Sequence, residues 1–229
     1  IQRLVGSEMC IRDSKWGAKI TGLGSSKIEI EGVEKLSGGT FKVMPDRIEA
    51  ATYMAAIASV GGKVTLFNAN INHLSAVIAK LKESGLNFFL KEDCIEIEMS
   101  NEQPKAVDIK TAPYPGFPTD MQAPFTVINA LAKGTSVIEE TIFENRLMHV
   151  PELRRMGANI SVKDNIARVD GRAELFGAEV TASDLRASAA LIIAGLAAKG
   201  ETIISGLEHV ERGYEDIQDK FKRLGAEIT

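Results

Sequence analysis

A repeated pattern of helices that end in glycine constrains this chain more than any other feature of its sequence. Amphipathic segments end at Gly85, Gly157 and Gly225, and Gly17 resembles the end of another segment, so that the four glycines lie 68, 72 and 68 residues apart. Glycine often closes a helix because it adopts a left-handed backbone conformation without strain. In chain order, the first three of these glycines, Gly17, Gly85 and Gly157, each lead into two strand-like runs. The spacing therefore predicts a structural unit that repeats through nearly everything after residue 14.

A second set of helical segments, rich in alanine, precedes the glycine-terminated set. These segments begin near Asp46, Asp120 and Asp184, and each is followed by a glycine and a short β-branched run. Small side chains allow helices to approach one another closely. The predicted unit is therefore strand, helix, strand, helix, strand, strand. Three such units predict an α/β domain in which helices lie inside sheets contributed by all three.

Composition excludes several classes of function. The net charge of −4 gives no overall basic field that would attract nucleic acid. The longest apolar run, residues 189–198, is too short for a membrane span. Two cysteines are too few for a disulfide framework, and no second ligand recurs at metal spacing near the three histidines. We therefore expect a cytoplasmic protein without a metal, a cofactor, a nucleic-acid partner or a membrane contact.

One carboxylate stands at the end of an unusually stiff loop. Three prolines within residues 113–118 restrict the backbone that leads to Asp120. Thr119 and Gln122 match a capping box, in which both side chains would bond the start of the helix. Asp120 could serve only to favour the positive end of the helix dipole. It could also be aimed at a ligand, and these residues alone leave both readings open.

Five strings carry a family resemblance. They are Met44-Pro-Asp-Arg-Ile-Glu, Phe117-Pro-Thr-Asp-Met-Gln-Ala, Ile142-Phe-Glu-Asn-Arg-Leu-Met-His-Val-Pro-Glu-Leu, Asp184-Leu-Arg-Ala-Ser-Ala-Ala and His209-Val-Glu-Arg-Gly-Tyr-Glu. From about Trp16 to Thr229, the chain resembles the UDP-N-acetylglucosamine 1-carboxyvinyltransferases, a family of bacterial enolpyruvyl transferases. The resemblance implies an inside-out α/β barrel fold with two domains of three repeats and an active site in the cleft between them.

The resemblance also implies a division of the chain. Residues 1–14 have no place in the repeat and resemble a translated sequencing adapter, so we interpret them as not native. Residues 15–44 would end a truncated first domain, and residues 45–229 would form the second domain. The missing amino-terminal half would be a partner in the active site, supplying a lysine-asparagine pair and an acid loop. We therefore expect this chain to be inactive alone.

The resemblance implies roles for six residues. The family transfers the enolpyruvyl group of phosphoenolpyruvate to the 3-hydroxyl of UDP-N-acetylglucosamine, the first committed step of peptidoglycan synthesis. Asp120 would contact that hydroxyl and act as the general base. Arg212 would hold the carboxylate of phosphoenolpyruvate, while Arg146 and Arg186 would lie near the cleft. The remaining two are Ile142, whose backbone would contact the nucleotide-sugar, and Phe143, which would wall the pocket.

Two alternatives remain open from the sequence. The sister enzymes that act on shikimate 3-phosphate share the fold and the reaction, but their strings around residues 117–122 and 143–146 differ. The chain could also be a binding module without catalytic activity. The upstream reading frame would decide between the last possibility and an enzyme.

Overall fold

The computed structural model describes residues 5–23, 27–100 and 102–229. The helices are α1 (Val5–Lys15), α2 (Arg47–Val60), α3 (Ser75–Ser84), α4 (Gln122–Leu131), α5 (Val150–Arg155), α6 (Leu185–Ala197) and α7 (Ile217–Arg223). The strands are β1 (Lys19–Thr21), β2 (Glu29–Glu31), β3 (Gly62–Phe67), β4 (Asn87–Leu90), β5 (Cys94–Met99), β6 (Ile109–Lys110), β7 (Thr135–Glu139), β8 (Asn159–Lys163), β9 (Ile166–Asp170), β10 (Glu179–Thr181) and β11 (Ile203–Ser205). Short 3₁₀ helices cover Ile71–His73, Thr119–Met121 and Leu207–Arg212.

The three alanine-rich helices, α2, α4 and α6, form the centre of the molecule. Each of them packs against the other two. All ten residues of α4 are buried, as is every residue of α6 from Ala187 to Ala194. A helix that is apolar on every side must be covered on every side. The predicted arrangement of helices inside sheets is therefore confirmed.

The sheets lie outside these helices and follow the repeat. Strand β5 is the central strand of a three-stranded antiparallel sheet with β3 and β4, and this sheet packs on α2. Strands β6, β7, β9 and β8 form a mixed sheet in that order, which packs on α4. Strands β10 and β11 pair in parallel, as β6 and β7 do. The middle unit therefore shows the whole predicted order, β6-α4-β7-α5-β8-β9.

The glycine-terminated helices also occur where the repeat predicts them. Helices α1, α3, α5 and α7 end just before Gly17, Gly85, Gly157 and Gly225, and all four glycines have a positive φ. Helix α7 begins at Ile217. Residues 5–14 belong to α1, and residues 1–4 lie outside the described residues. The non-native origin of residues 1–14 and the domain boundary at residue 44 remain predictions.

Outer helices complete the cover of the core. Helix α3 packs on α2, and α5 packs on α6. Helix α7 reaches α2 through Phe221, whose ring centroid lies 5.0 Å from that of Tyr53. No helix in the described ranges combines the length and the apolar character that a membrane crossing requires.

A close backbone contact at Gly171 gives a test of this packing. A Cβ atom on Gly171 would lie 2.0 Å from the carbonyl oxygen of Ala132, just after α4. We expect Gly171→Ala to lower the free energy of unfolding by at least about 2 kcal/mol, because the backbone must move. Urea denaturation of this chain measures the loss.

Gly32 is the matched control, because it also follows a strand of the repeat. A Cβ atom there meets nothing within 4 Å. Gly32→Ala should change the unfolding free energy by less than about 0.5 kcal/mol. Equal losses in the two variants would contradict the packing argument.

Candidate functional site

The site lies where the first turns of the three central helices meet. Arg47 begins α2, Asp120 lies in the 3₁₀ turn that leads into α4, and Arg186 is in the first turn of α6. The charge of Asp120 acts on both Arg47 and Arg186, so the three groups are neighbours. The positive ends of three helix dipoles therefore approach one another here.

Two arginines hold the carboxylate of Asp120. Arg146 donates from Nη2 to Oδ1 at 2.8 Å, and Arg186 places its Nε 3.2 Å from the same oxygen. Oδ2 accepts no hydrogen bond from any residue that the structure describes. The side chain keeps 30% of its surface exposed. One oxygen of Asp120 is therefore fixed, and the other can accept a hydrogen bond from a ligand.

The arginines also keep Asp120 ionised. Burial by itself would raise the pKa of Asp120, but the charges and hydrogen bonds of Arg186 and Arg146 outweigh it and hold the pKa below its usual value. Three arginines, including Arg47, surround this single carboxylate. The local excess of positive charge suits an anionic ligand.

The predicted capping box is wrong. Thr119 donates its hydroxyl to Oε2 of Glu140 at 2.7 Å, and no side chain caps this helix start. Both amide atoms of Gln122 are buried and make no hydrogen bond within the described residues. A 3₁₀ turn precedes α4, so Thr119 lies too early in the chain to cap its first turn.

Asp46 and Asp184 cap their helices through side-chain hydrogen bonds. Each is the residue just before its helix, and each side chain accepts hydrogen bonds from two backbone amides of the first turn. Asp120 lies two residues before α4 and bonds arginines instead. The structure therefore separates Asp120 from the capping role of its counterparts.

The buried side chain of Glu140 ties two loops together. Its Oε1 accepts hydrogen bonds from Thr111 Oγ1 at 2.9 Å and from the backbone amides of Ile142 and Phe143 at 2.8 and 3.2 Å. Its Oε2 accepts the Thr119 hydroxyl. Four donors therefore satisfy a carboxylate that is 2% exposed. Glu140 fixes the approach to Asp120 relative to the loop that carries Arg146.

The stiff loop before Asp120 folds back on itself. Ala112 donates its amide to the carbonyl of Phe117 at 2.9 Å, and the Tyr114–Pro115 peptide bond is cis. Phe117 is buried, and its ring meets that of Phe125 edge to face at 4.9 Å. The loop is therefore anchored against α4.

Of the other predicted residues, Phe143 and Ile142 lie on the loop that also carries Arg146, whereas Arg212 lies apart. Phe143 is 55% exposed, and the guanidinium of Arg146 lies 4.8 Å from its ring centroid. Ile142 is 36% exposed, next to Phe143 on the Glu140 loop. Arg212 ends a 3₁₀ helix and is exposed, and its side chain makes no hydrogen bond or ion pair with a described residue. The structure brings Asp120, Arg146 and Arg186 together and leaves Arg212 outside their contacts.

Sequence reasoning missed three residues of this cluster. Arg47 and Tyr214 stand in the strings that carry the family resemblance without a predicted role, and Glu140 stands outside those strings. The Tyr214 hydroxyl accepts a hydrogen bond from Arg186 Nη1 at 3.1 Å. None of the three carries a strong local signal: Glu140 follows Glu139 at the end of β7, and two successive glutamates do not show which of them is buried.

Two cavities flank the cluster. One, of about 330 Å³, includes Arg47 in its lining, and the other, of about 480 Å³, includes Arg146 and Phe143. Within the described part of the chain, no three histidine, cysteine, aspartate or glutamate side chains could hold one metal ion. The arrangement can hold an anion between arginines and accept a proton or hydrogen bond at Asp120.

Known proteins resemble the chain over nearly its whole length. The profile of the EPSP synthase family (3-phosphoshikimate 1-carboxyvinyltransferase) matches residues 14–221. The UDP-N-acetylglucosamine 1-carboxyvinyltransferases of Shewanella baltica and Klebsiella pneumoniae are each 54% identical over 93% of this chain and 51% of their own length. The chain therefore spans about half the length of the curated relatives it matches.

Solved structures agree with these matches. The enolpyruvyl transferase NikO from Streptomyces tendae superposes with a TM-score of 0.81 and 25% identity, over 99% of this chain and 54% of its own. EPSP synthase from Acinetobacter baumannii gives a TM-score of 0.67 at 22% identity, over 93% of this chain and 52% of its own. The second likeness concerns the fold alone.

A buried histidine lies behind the site. His149 is 2% exposed, and its Nε2 lies 3.1 Å from the hydroxyl oxygen of Thr126. That hydroxyl donates to the carbonyl of Gln122, so we assign the proton of the contact to His149. Burial lowers the pKa of His149 from 6.5 to about 4, with Arg146 acting in the same direction and Asp184 opposing it.

The low pKa of His149 predicts acid sensitivity. The unfolded chain binds this proton at a higher pH than the folded chain, so stability is lost as the pH falls from about 6.5 towards 4. Between pH 7.5 and 5.5, His149 should account for a loss of about 1 kcal/mol in unfolding free energy. His149→Asn should remove this part, as measured by urea denaturation at both pH values. An unchanged difference between the two pH values would contradict the assignment.

Proposed function

The chain belongs to the EPSP synthase family of enolpyruvyl transferases, and on that basis we propose that the complete protein transfers the enolpyruvyl group of phosphoenolpyruvate to the 3-hydroxyl of UDP-N-acetylglucosamine. Phosphate is the second product. The 54% identity to relatives named for this activity supports the choice of acceptor. The activity is proposed for the complete protein, because this chain corresponds to about half of those relatives.

The reaction consists of an addition followed by an elimination. The sugar hydroxyl oxygen bonds to C2 of phosphoenolpyruvate, the hydroxyl proton leaves to a base, and C3 gains a proton. C3 then loses a proton while the bond from C2 to the phosphate oxygen breaks, which restores the double bond and releases phosphate. The step therefore needs a base beside the hydroxyl, an acid beside C3 and cations around the anionic substrate.

Asp120 is the base in this proposal. The observation that carries it is the asymmetry of its carboxylate, with Oδ1 held by Arg146 and Arg186 and Oδ2 free of described partners. The lowered pKa keeps Asp120 ionised but makes it a weak base. Its contribution therefore depends on positioning, with the proton moving as the new carbon–oxygen bond forms.

The arginines bind the anionic substrate in this proposal. Arg146 and Arg186 face the same carboxylate and are each mostly buried, with side-chain exposures of 22% and 16%. Desolvated guanidinium groups bind phosphate and carboxylate oxygens strongly. We assign Arg212 to the carboxylate of phosphoenolpyruvate, for which its exposed side chain is available.

The loop after β7 recognises the acceptor in this proposal. Hydrogen bonds to Glu140 occupy the backbone amide groups of Ile142 and Phe143. The carbonyl of Ile142 is therefore the group that we assign to the nucleotide-sugar, with the exposed ring of Phe143 as a wall. The amino-terminal half of the protein would supply the acid. We further propose a cytoplasmic enzyme of peptidoglycan synthesis.

The family profile also carries the name of the shikimate enzyme, which is the second candidate. A competition assay on the complete protein separates the two. We expect phosphate release from phosphoenolpyruvate with UDP-N-acetylglucosamine and none with shikimate 3-phosphate. The 229-residue chain alone should release none with either acceptor. Turnover with shikimate 3-phosphate only would contradict the proposal.

Removing the charge of Asp120 tests its role as base. In the complete protein, Asp120→Asn should lower kcat at least about 100-fold, because loss of a positioned general base costs 10²–10⁴-fold. The protein should stay folded with a lower unfolding midpoint, since Asn keeps the shape and an acceptor oxygen but loses the charge that Arg146 and Arg186 pair with. Phosphate release and thermal unfolding measure the two effects.

Asp170 supplies the matched control. Like Asp120 it pairs with an arginine, here Arg168, and it also accepts the Thr135 hydroxyl, but it lies on β9 in the sheet outside the central helices. Asp170→Asn should leave kcat unchanged. Normal turnover in Asp120→Asn, accompanied by a large loss of stability, would return Asp120 to a structural role.

A further inference from the structure

A chain of hydrogen bonds joins Arg186 to helix α2 through two hydroxyl groups. Arg186 Nη1 lies 3.1 Å from the Tyr214 hydroxyl oxygen, which lies 2.9 Å from Thr52 Oγ1. Thr52 Oγ1 lies in turn 2.9 Å from the carbonyl oxygen of Ile48. The contacts connect the first turn of α6 with the first two turns of α2.

The donors in this chain can be assigned from its two ends. The carbonyl of Ile48 can only accept, so the Thr52 hydroxyl donates to it. Thr52 then has no proton left for Tyr214 and must accept the Tyr214 proton. Arg186 can only donate, so its Nη1 donates to the Tyr214 oxygen. All three hydrogen bonds therefore have the same donor-to-acceptor direction, from Arg186 towards the carbonyl of Ile48.

The environment of the two hydroxyl groups keeps the chain intact. Thr52 is fully buried and Tyr214 is 2% exposed, so water does not compete for their hydrogen bonds. Burial raises the pKa of the Tyr214 phenol, although Arg186 opposes the shift. The phenol therefore keeps its proton at neutral pH and remains a donor to Thr52.

Two contacts fix the side chain of Arg186. Its Nε pairs with Asp120 Oδ1 at 3.2 Å, and its Nη1 is held by Tyr214. Of five N–H groups, the two on Nη2 and one on Nη1 have no partner among the described residues. The rotation of the guanidinium plane is therefore set before any ligand binds, and its free edge is available to an anion.

Arg146 is held in a similar way. Its Nη2 donates to Asp120, and its Nη1 donates to the Thr119 hydroxyl at 3.0 Å. The Thr119 hydroxyl donates a hydrogen bond to Glu140 Oε2 at 2.7 Å. Both arginines thus pair with the carboxylate of Asp120. Each of them also donates to a hydroxyl of its own, and a buried acceptor sets the orientation of that hydroxyl.

We propose that Tyr214 is a positioning residue that orients Arg186 for binding of phosphoenolpyruvate, with Thr52 fixing the direction of its hydroxyl. The inference rests on the proposed function for the identity of the anion. Preorganisation lowers the entropy cost of binding, so loss of the Tyr214 hydroxyl should weaken anion binding more than it affects the fold.

The test compares Tyr214→Phe with Tyr53→Phe in the complete protein. Both substitutions remove one buried phenol oxygen, but the Tyr53 hydroxyl has no hydrogen-bond partner among the described residues. We expect Tyr214→Phe to raise the KM and the Kd for phosphoenolpyruvate about tenfold, the scale of one lost hydrogen bond to a charged group. Its kcat should change less, and Tyr53→Phe should change neither constant.

Variants of Thr52 test the chain from its other end. Thr52→Val, which removes the acceptor, should raise the same KM, and Thr52→Ser, which keeps a hydroxyl, should restore it. In the double variant of Tyr214→Phe and Thr52→Val, the KM should rise no further than in Tyr214→Phe alone. If Tyr214→Phe fails to fold, the two Thr52 variants decide.

The outcomes separate this inference from the proposed function. An active enzyme whose KM is unchanged in Tyr214→Phe, or changed equally in Tyr53→Phe, would overturn the positioning role alone. If no enolpyruvyl transfer occurs, the Kd for inorganic phosphate, measured by calorimetry, takes the place of the KM for phosphoenolpyruvate. About tenfold weaker phosphate binding in Tyr214→Phe would then support the positioning role although the proposed function fails. Failure of the parent protein to bind either anion would overturn both.

Discussion

The burial of three helices against one another is the constraint on which the rest of this structure depends. Helices α2, α4 and α6 have almost no polar face, so sheets and outer helices must enclose them on all sides. Their packing also brings their first turns to one place. The charged residues at these turns, Arg47, Asp120 and Arg186, are neighbours for this reason, although the first and the last are 139 positions apart in the sequence. The core therefore creates the site as a consequence of its topology.

Buried polar contacts hold the side chains and loops rigidly where the three first turns meet. Glu140 accepts four hydrogen bonds and joins the stiff loop before Asp120 to the loop that carries Arg146. Tyr214 links Arg186 to α2. A buried polar group without partners is costly, so each satisfied contact disfavours other arrangements. The two arginines are consequently placed by residues that need not touch a substrate themselves.

The repeat made much of the fold predictable, because helix ends and strand pairs leave local signals. The glycines after α3, α5 and α7 and the aspartates before α2 and α6 are such signals, and all lie where expected. The site was predictable only in part. The stiff loop indicates Asp120 and the family resemblance indicates Arg146 and Arg186, whereas the polar contact of Tyr214 is made across the molecule and leaves no local signal. The predicted capping box was wrong because a 3₁₀ turn, which has no strong sequence signature, displaces Thr119 from the helix.

The three repeats also show how a structural residue becomes available for chemistry. An aspartate precedes each central helix. Before α2 and α6, its carboxylate accepts hydrogen bonds from two backbone amides of the helix. Before α4, a backbone hydrogen bond between Ala112 and Phe117 closes the proline-rich loop. A 3₁₀ turn then leads from this loop into α4. That turn moves Asp120 one position further from the helix than its counterparts, so the amides no longer reach its carboxylate. Arginines from two other segments replace them at one oxygen only. A change in the approach to a helix, rather than in the residue itself, therefore distinguishes the carboxylate that keeps one oxygen without a described partner from the two capping ones.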